Sequence, residues 1–537
     1  MTVLPDIFNA ATHFVDRHVA EGRGAKVAIE CGGERVTYAQ VAERVNRFGA
    51  ALLGLGVQPE QRVALILQDT PAFAYSFFGA IKAGIVPVPL NTLWRARDYA
   101  HALSDSGARA VVISASLVRE FDAIARAQLP RLEHVIIAGS LTSDLSAVAS
   151  AKAEALAREG AGAIDFDQLL AAASPVLDAA PTHKDAMAFW LYSSGSTGGP
   201  KGCVHLQHDM FVCAEAYAKG VLGMRESDRC FSAAKLFFAY GLGNALYMPF
   251  AVGATSILLP DAPAAPRVYE IIATHKPTLF FSVPTNYGML LAHEGDFDLS
   301  SVRHAVSAGE ALPEPLFRRF KQRFGVEILD AIGSTECLHM FIANYPGRVR
   351  PGSSGQPVPG YEARIVDESD RPVAVGEMGS LLIKGDSTCA YYWNQHEKTK
   401  QTIQGEWIRT GDKYYCDADG YYWYGGRSDD MLKAGGIWVS PVEIENVLID
   451  HEAVLECAVI GREDGHGLSK PFAYVVLKSQ VTGSPELAAA LQTFVRERLA
   501  EYKRPRGVEF VSELPKTATG KLQRFKLRAK SGSGADS

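Results

Sequence analysis

The sequence predicts an α/β protein in two unequal parts, with a stretch of β structure closing the larger one. Three observations carry that prediction. Short apolar runs alternate with helical patterns from Lys26 to Leu329, as parallel sheets covered on both faces require. After Pro351 the chain turns to β texture punctuated by glycine and proline, ending in Tyr421-Tyr-Trp-Tyr424. Gly425-Gly-Arg-Ser428 then reads as a boundary, and an α+β segment of about 100 residues, a usual domain size, follows it. The expected units are 1–428 and 429–530, with 531–537 a flexible tail of Ser-Gly-Ser-Gly character.

The elements follow in order. Val27-Ala-Ile-Glu30 and Arg35-Val-Thr37 flank Cys31-Gly-Gly-Glu34, a hairpin. Thr37 and Gln40 form a capping box for a helix running toward Gly54. Arg62-Val-Ala-Leu-Ile-Leu67 reads as a buried strand, and Pro71 opens a helix that stops at Gly84. Val86-Pro-Val-Pro-Leu90, Ala110-Val-Val-Ile113 and Val135-Ile-Ile-Ala138 extend the strand series. Ser146 to Ala180 is alanine-rich without a motif and reads as a surface helix pair or insertion. Ala186-Met-Ala-Phe-Trp-Leu191 and Cys203-Val-His-Leu206 are strands framing a Gly/Ser loop. Thr255-Ser-Ile-Leu-Leu259, Thr278-Leu-Phe-Phe-Ser282, His304-Ala-Val-Ser307 and Glu327-Ile-Leu329 repeat the alternation.

Composition narrows the function. A chain of 537 residues with 47% hydrophobic and 21% charged residues is that of a globular enzyme with full cores. A net charge of −6 gives no basic footprint for nucleic acid. The eight cysteines form no C-x-x-C pair, which argues against a metal cluster or disulfide framework and fits a reducing cytoplasm. Met1-Thr-Val-Leu-Pro-Asp6 has neither the basic start nor the apolar run of a signal peptide. Phe237 to Leu259 is uncharged and long enough to cross a bilayer, but Gly241, Gly243, Asn244, Pro249 and Gly253 break it into helix, turn and strand. It reads as core, with no membrane partner.

The chemistry centres on Tyr192-Ser-Ser-Gly-Ser-Thr-Gly-Gly-Pro-Lys201-Gly202. Hydroxyls, flexible backbone amides and one cation suit a polyphosphate, because amides turned into one concavity bind anions and glycine permits positive φ. The Walker A pattern fails here. Pro200 stands where it needs a glycine N–H, Gly202 replaces its Ser/Thr, and the loop leads into a strand rather than a helix.

This loop resembles the signature of the adenylate-forming superfamily, which includes acyl-CoA synthetases, luciferases and peptide-synthetase adenylation domains. The resemblance runs in order from Lys82-Ala-Gly84 to Lys521. It implies layered αβ sheets with a β-barrel-like subdomain, a small mobile C-terminal lid, and conversion of a carboxylate to an acyl-adenylate and then a thioester. ATP, Mg2+ and coenzyme A are the implied small-molecule partners. By resemblance, Ser193, Ser194, Gly195, Ser196, Thr197, Gly198 and Lys201 cradle phosphate. In Asp330-Ala-Ile-Gly-Ser-Thr-Glu336, Glu336 holds magnesium, Thr335 bonds the α-phosphate, Asp330 accepts from the adenine amino group and Ile332 packs on its ring. Ser307-Ala308-Gly309-Glu310 resembles the other adenine wall, with Glu310 equally readable as a structural cap. Asp412 in Trp407-Ile-Arg-Thr-Gly-Asp412 matches a ribose clamp, with Arg427 beside it. Asp429 matches the hinge, Lys521 the lysine of the adenylation step, and Lys433, Gly435 and Gly436 the coenzyme A tunnel, where Ile437 replaces an arginine of some members.

Lys235-Leu-Phe-Phe-Ala-Tyr-Gly-Leu-Gly-Asn244 lies where the superfamily builds its acyl pocket. It carries no carboxylate to pair with an amino-acid ammonium, and its aromatic walls suit a flat apolar acid. Phe237, Phe238, Ala239, Tyr240 and Gly241, with Ser307, Ala308, Gly333 and His339, are the pocket candidates. This string, and Gly333-Ser-Thr-Glu-Cys-Leu-His-Met340, closely resemble bacterial benzoate-CoA ligases. The expected partner is an aromatic carboxylate, benzoate or a hydroxy- or aminobenzoate. Medium-chain or cinnamate-type acids, and loading of a carrier protein, are the alternatives. A monomer and a homodimer fit equally.

Overall fold

A computed structural model of the protein describes residues 3–139, 163–193, 200–428, 430–434, 437–463, 469–516 and 522–532. Among these residues the first layer is a sheet of five parallel strands, in the order Val86–Pro89, Arg62–Ile66, Ala110–Ser114, His134–Ala138, Ala163–Asp165. The last of these, with the helix Phe166–Ala172, shows that the described part of the alanine-rich segment adds an edge strand to the sheet, where a helix pair or insertion is expected. The backbone pairing of a sheet edge outweighs a composition that favours helix.

A second sheet has nine strands. Ile328–Gly333, His304–Ser307, Leu279–Ser282, Arg229–Ser232, Thr255–Leu258 and Val27–Cys31 run parallel. The hairpin strand Glu34–Thr37 closes one edge, and Met340–Ala343 with Gln356–Pro357 reverses direction at the other. Thr37 and Gln40 make both bonds of the capping box, and Pro71 opens Pro71–Lys82. The uncharged stretch after Phe237 becomes Ala239–Leu242, a π-helical turn Gly243–Tyr247, Met248–Val252 and the strand Thr255–Leu258. Among the described residues no helix is long and apolar enough to cross a membrane.

After Pro351 an antiparallel sheet forms from Glu362–Val366, Gly379–Lys384, Trp407–Cys416, Ile403–Gln404 and Tyr422–Arg427. The C-terminal region has its own apolar clusters on Val454–Glu463, Ser469–Leu477 and Val508–Phe510. Its helices Pro441–Ile449 and Arg524–Gly532 are joined by charge. Arg524 Nη2 donates to both oxygens of Glu445, at 2.8 and 2.7 Å, and Arg528 donates to Asp430 at 2.7 Å. The side chains of Arg524 and Glu445 are only 13% and 9% exposed.

Removing one partner of a buried ion pair leaves the other charge without compensation, at about 3–5 kcal/mol. Arg524→Met therefore destabilises the C-terminal region by that order. Pulse proteolysis in urea should show cleavage within 430–530 at lower denaturant than in wild type. Unchanged cleavage would mean that the pair is not a fastener.

Candidate active site

A cleft of about 2880 Å3 opens at the carboxyl ends of the parallel strands, where open α/β sheets bind ligands. One wall is the hairpin Met187–Ser193 and Lys201–Leu206, with Ser193 opposite Lys201. Trp190 is fully buried beneath it, and the Tyr192 hydroxyl donates to Asp105 at 2.8 Å. Ser194, Gly195, Ser196, Thr197 and Gly198 lie outside the described residues. Ser193 and Lys201, on either side of them, face the cleft. Burial, and then the Lys398 charge, hold the Lys201 ammonium below the usual lysine pKa, while Glu336 opposes them. Its Nζ lies 5.3 Å from the Tyr392 ring centre.

The opposite wall comes from three strand ends. Gly309, at φ +86°, turns the chain after Ser307, and Glu310 accepts from the Thr285 hydroxyl at 3.0 Å. Asp330 is 5% exposed, one carboxyl oxygen has no partner, and burial raises its pKa well above the carboxylate range. It awaits a donor. At Gly333 a Cβ would lie 2.5 Å from the His339 carbonyl oxygen, so only glycine allows the chain to reverse there. Glu336 Oε1 accepts from the Tyr392 hydroxyl at 2.7 Å. The chain from here enters the strand Met340–Ala343, which leaves Thr335 and Glu336 no helix to cap.

Asp412 and Arg427 face each other across antiparallel strands, with Nη1 donating to Oδ1 at 3.1 Å and to the Thr410 carbonyl at 3.0 Å. Both line the cleft, as do Ile332, Gly333, Thr335 and Ala308.

The aromatic pocket is built from the helix break. Phe237 and Phe238 pack at 4.2 Å between ring centres, and the Tyr240 hydroxyl donates to the carbonyls of Ser282 and Val306 at 3.2 and 3.1 Å. The His339 ring lies 5.9 Å from that of Tyr240, and its Nε2 is 3.1 Å from Asn244 Oδ1. Burial depresses His339 to about 3, so its ring is neutral. A Cβ on Gly243 would meet the His339 ring at 2.5 Å, so the π-helical turn seats the imidazole. Two pocket candidates stand elsewhere. Gly241 sits against the Ala234 and Lys235 carbonyls, where a Cβ would collide, and Ser307 is fully buried in its strand, so neither borders the cleft.

The hinge candidate Asp429, the tunnel glycines Gly435 and Gly436, and Lys521 lie outside the described residues. Lys433 is in the strand Leu432–Ala434, paired with Trp438. Lys516 and Leu522, which bracket Lys521 in sequence, line the cleft.

Sequence reasoning missed Tyr392, the Glu336 partner, although Tyr391-Tyr-Trp393 is a conspicuous aromatic run. It also missed Asp69, whose buried carboxyl accepts from the Leu236 amide at 3.1 Å, with Lys235 3.9 Å away. That contact anchors the start of the pocket segment. No local pattern marks a pair 166 residues apart, Asp69 and Lys235 (235 − 69).

The cleft thus joins anion-seeking groups, a buried carboxyl acceptor, a carboxylate–guanidinium pair and a neutral aromatic recess. Among the described residues no cluster of three or more His, Cys, Asp or Glu could hold a metal alone. A single carboxylate such as Glu336 still fits magnesium, which keeps waters and takes most of its oxygens from a bound nucleotide.

Comparison with known proteins gives the same reading. Residues 16–393 match the AMP-binding enzyme family and 443–521 the AMP-binding enzyme C-terminal domain. The chain is 48% identical over 533 residues to a benzoate–CoA ligase of Thauera aromatica, covering 98% of this chain and 97% of that one. It is 45% identical to a 4-hydroxybenzoate–CoA/benzoate–CoA ligase of Rhodopseudomonas palustris, covering 97% and 94%. The crystal structure of an anthranilate CoA ligase in complex with anthranoyl-AMP superposes with a TM-score of 0.92 at 43% identity, covering 99% of both chains.

Burial raises the Asp69 carboxyl to about 6, against 3.8 for the free group, and Lys235 only partly offsets it. A carboxyl raised on folding contributes stability below the unfolded pKa and loses it as pH rises through the folded one. That rise corresponds to about 3 kcal/mol. Asp69→Asn should therefore gain stability relative to wild type by about 2–3 kcal/mol between about pH 4 and about pH 7, read from urea midpoints. A difference that does not change with pH would show that the carboxyl titrates normally.

Proposed function

The chain belongs to the AMP-binding enzyme family, and from that premise we propose that it is an AMP-forming aryl-CoA ligase. Its substrates are benzoate or a hydroxy- or aminobenzoate, ATP and coenzyme A, and its products aroyl-CoA, AMP and pyrophosphate. One observation carries the reading. The recess of Phe237, Phe238, Tyr240 and neutral His339 opens into the same cleft as Asp330, Thr335, Glu336, Asp412 and Arg427. A flat apolar acid in that recess would present its carboxylate to the nucleotide side.

A carboxylate oxygen attacks the α-phosphorus of ATP, the bond to pyrophosphate breaks, and an aroyl-adenylate remains. Thr335 bonds the α-phosphate, and Lys201 and the loop from Ser193 take the outgoing phosphates. Asp412 accepts from both ribose hydroxyls, a two-point contact, with Arg427 holding its second face. Asp330, buried at the end of its strand, accepts from the adenine amino group. Glu336 would hold magnesium, which neutralises phosphate charge when bound. The coenzyme A sulfur then attacks the aroyl carbonyl carbon and AMP leaves. Rotation of 429–530 about Asp429 exchanges Lys521 for Lys433, Gly435 and Gly436 at the cleft, so each half-reaction has its own face.

Pyrophosphate release with ATP and magnesium tests the substrate. The acids are benzoate, the three hydroxybenzoates, 2-aminobenzoate, cinnamate and octanoate, each with and without coenzyme A. Turnover that depends on coenzyme A and is led by benzoate or a close ring derivative is expected. Turnover led by octanoate would overturn the aromatic recess, and turnover without coenzyme A dependence would point to a carrier protein. Lys521→Ala should cut adenylation by about 10²–10³-fold, the usual loss on removing one group that stabilises developing charge. Thioester formation from supplied benzoyl-AMP should survive, and equal loss of both half-reactions would rule out two faces.

A further inference from the structure

Behind the turn that carries Thr335 and Glu336 lies a buried histidine–aspartate pair with no part in the roles above. The side chains of His205 and Asp209 are both 0% exposed. His205 stands within the strand Lys201–Leu206, its ring stacked on Phe189 at 5.2 Å and 20°. Its Nδ1 is 2.8 Å from Asp209 Oδ2, and its Nε2 is 2.8 Å from the carbonyl oxygen of Thr335. A carbonyl only accepts, so Nε2 donates to Thr335. The Asp209 carboxylate likewise only accepts, so Nδ1 donates to it, and two donors on fixed acceptors lock the ring from both sides. The same Oδ2 accepts from the Leu206 amide at 3.1 Å, and His208 Nε2 lies 3.2 Å from Oδ1.

The turn needs holding. Leu338 has φ +63°, a left-handed conformation that an L residue with a branched side chain keeps only when its surroundings impose it. The Ser334 hydroxyl accepts from the Cys337 amide at 3.2 Å, and the Ser387 hydroxyl donates to the Cys337 carbonyl at 2.8 Å. The amides of Leu338 and Cys389 donate to the Thr335 and Glu336 carbonyls, at 3.1 and 2.6 Å. Of these fasteners, His205 alone comes from the strand that begins with Lys201. We infer that His205, oriented by Asp209, is a positioning residue that holds the Thr335–Glu336 turn in register with the Lys201 strand, so that both sides of the phosphate site meet ATP together. The inference rests on the adenylating reading of the cleft.

Three variants separate positioning from packing. His205→Gln places an amide donor near the Nε2 position, His205→Asn keeps a donor only toward Asp209, and His205→Leu keeps bulk alone. Misplacing a reacting group by an ångström costs about 10²-fold. The Asn and Leu variants should therefore lose kcat for benzoyl-AMP formation by that order, and the Gln variant should recover most of it. Thioester formation from supplied benzoyl-AMP should fall by at least about tenfold less than adenylation in the Asn and Leu variants, since that step keeps the Thr335 contact to the α-phosphate but no longer uses the outgoing phosphates on the Lys201 and Glu336 sides. Equal loss in both half-reactions, no advantage of Gln over Asn, or full activity of Asn would each overturn the inference. If wild type adenylates no acid in the panel, the reading of the cleft fails by itself. Calorimetric titration with MgATP then decides: weaker binding in Asn, restored in Gln, upholds the positioning role, and equal binding in all variants ends it. A Leu variant that does not fold leaves the Asn–Gln comparison intact.

Discussion

The reversal between Ile328–Gly333 and Met340–Ala343 is the constraint on which the site depends. In the nine-stranded sheet the six strands from Val27–Cys31 across to Ile328–Gly333 run parallel, and the next, Met340–Ala343, runs antiparallel. Parallel strands deliver their ends to one edge, and a sharp reversal there exposes side chains that a continuing helix would turn away. Gly333 permits the close approach, Leu338 bears the left-handed backbone, and Thr335 and Glu336 project from between them. The backbone bonds from Cys389 and the hydroxyls of Ser334, Ser387 and Tyr392 show the surrounding chain committed to this one turn.

Polarity in the cleft is sorted by burial. Asp330 and His339 are both buried and both pushed toward their neutral forms, one upward and one downward. Asp412 keeps a guanidinium partner, and Lys201 stays within reach of Glu336's charge. Anionic ligand groups therefore meet a cation on the hairpin side, while the walls of the aromatic recess, Phe237, Phe238, Tyr240 and the neutral His339, carry no charge. The same physics that excludes an ammonium from the recess suits it to a ring acid.

The recess also explains why the long uncharged stretch is not a simple helix. Gly243 lies in a π-helical turn whose missing Cβ admits the His339 ring, and Gly241 lets the first turn close on the carbonyls of Ala234 and Lys235. Asp69, which follows the strand Arg62–Ile66 of the other sheet, pins the start of that segment through the Leu236 amide and Lys235. Pocket shape is thus set by glycines in the segment and by a carboxylate far from it in sequence.

Much of the fold, and which segments line the cleft, were legible because their signals are local. Strand periodicity, the Thr37–Gln40 box, Pro71, and the glycine- and hydroxyl-rich loop before Lys201 each state a backbone requirement within a few residues. The alternation identified the parallel sheets, and the ordered motifs identified the family and the edge of the cleft. What only the tertiary structure decided is long-range pairing. Tyr392 on Glu336, Asp69 beside Lys235, and His205 against the Thr335 carbonyl join positions 56, 166 and 130 residues apart. Such contacts leave no periodic trace, because they depend on which strands become neighbours. Gly241 and Ser307 show the converse: a motif names the neighbourhood of a pocket, but packing decides which of its residues reach the wall.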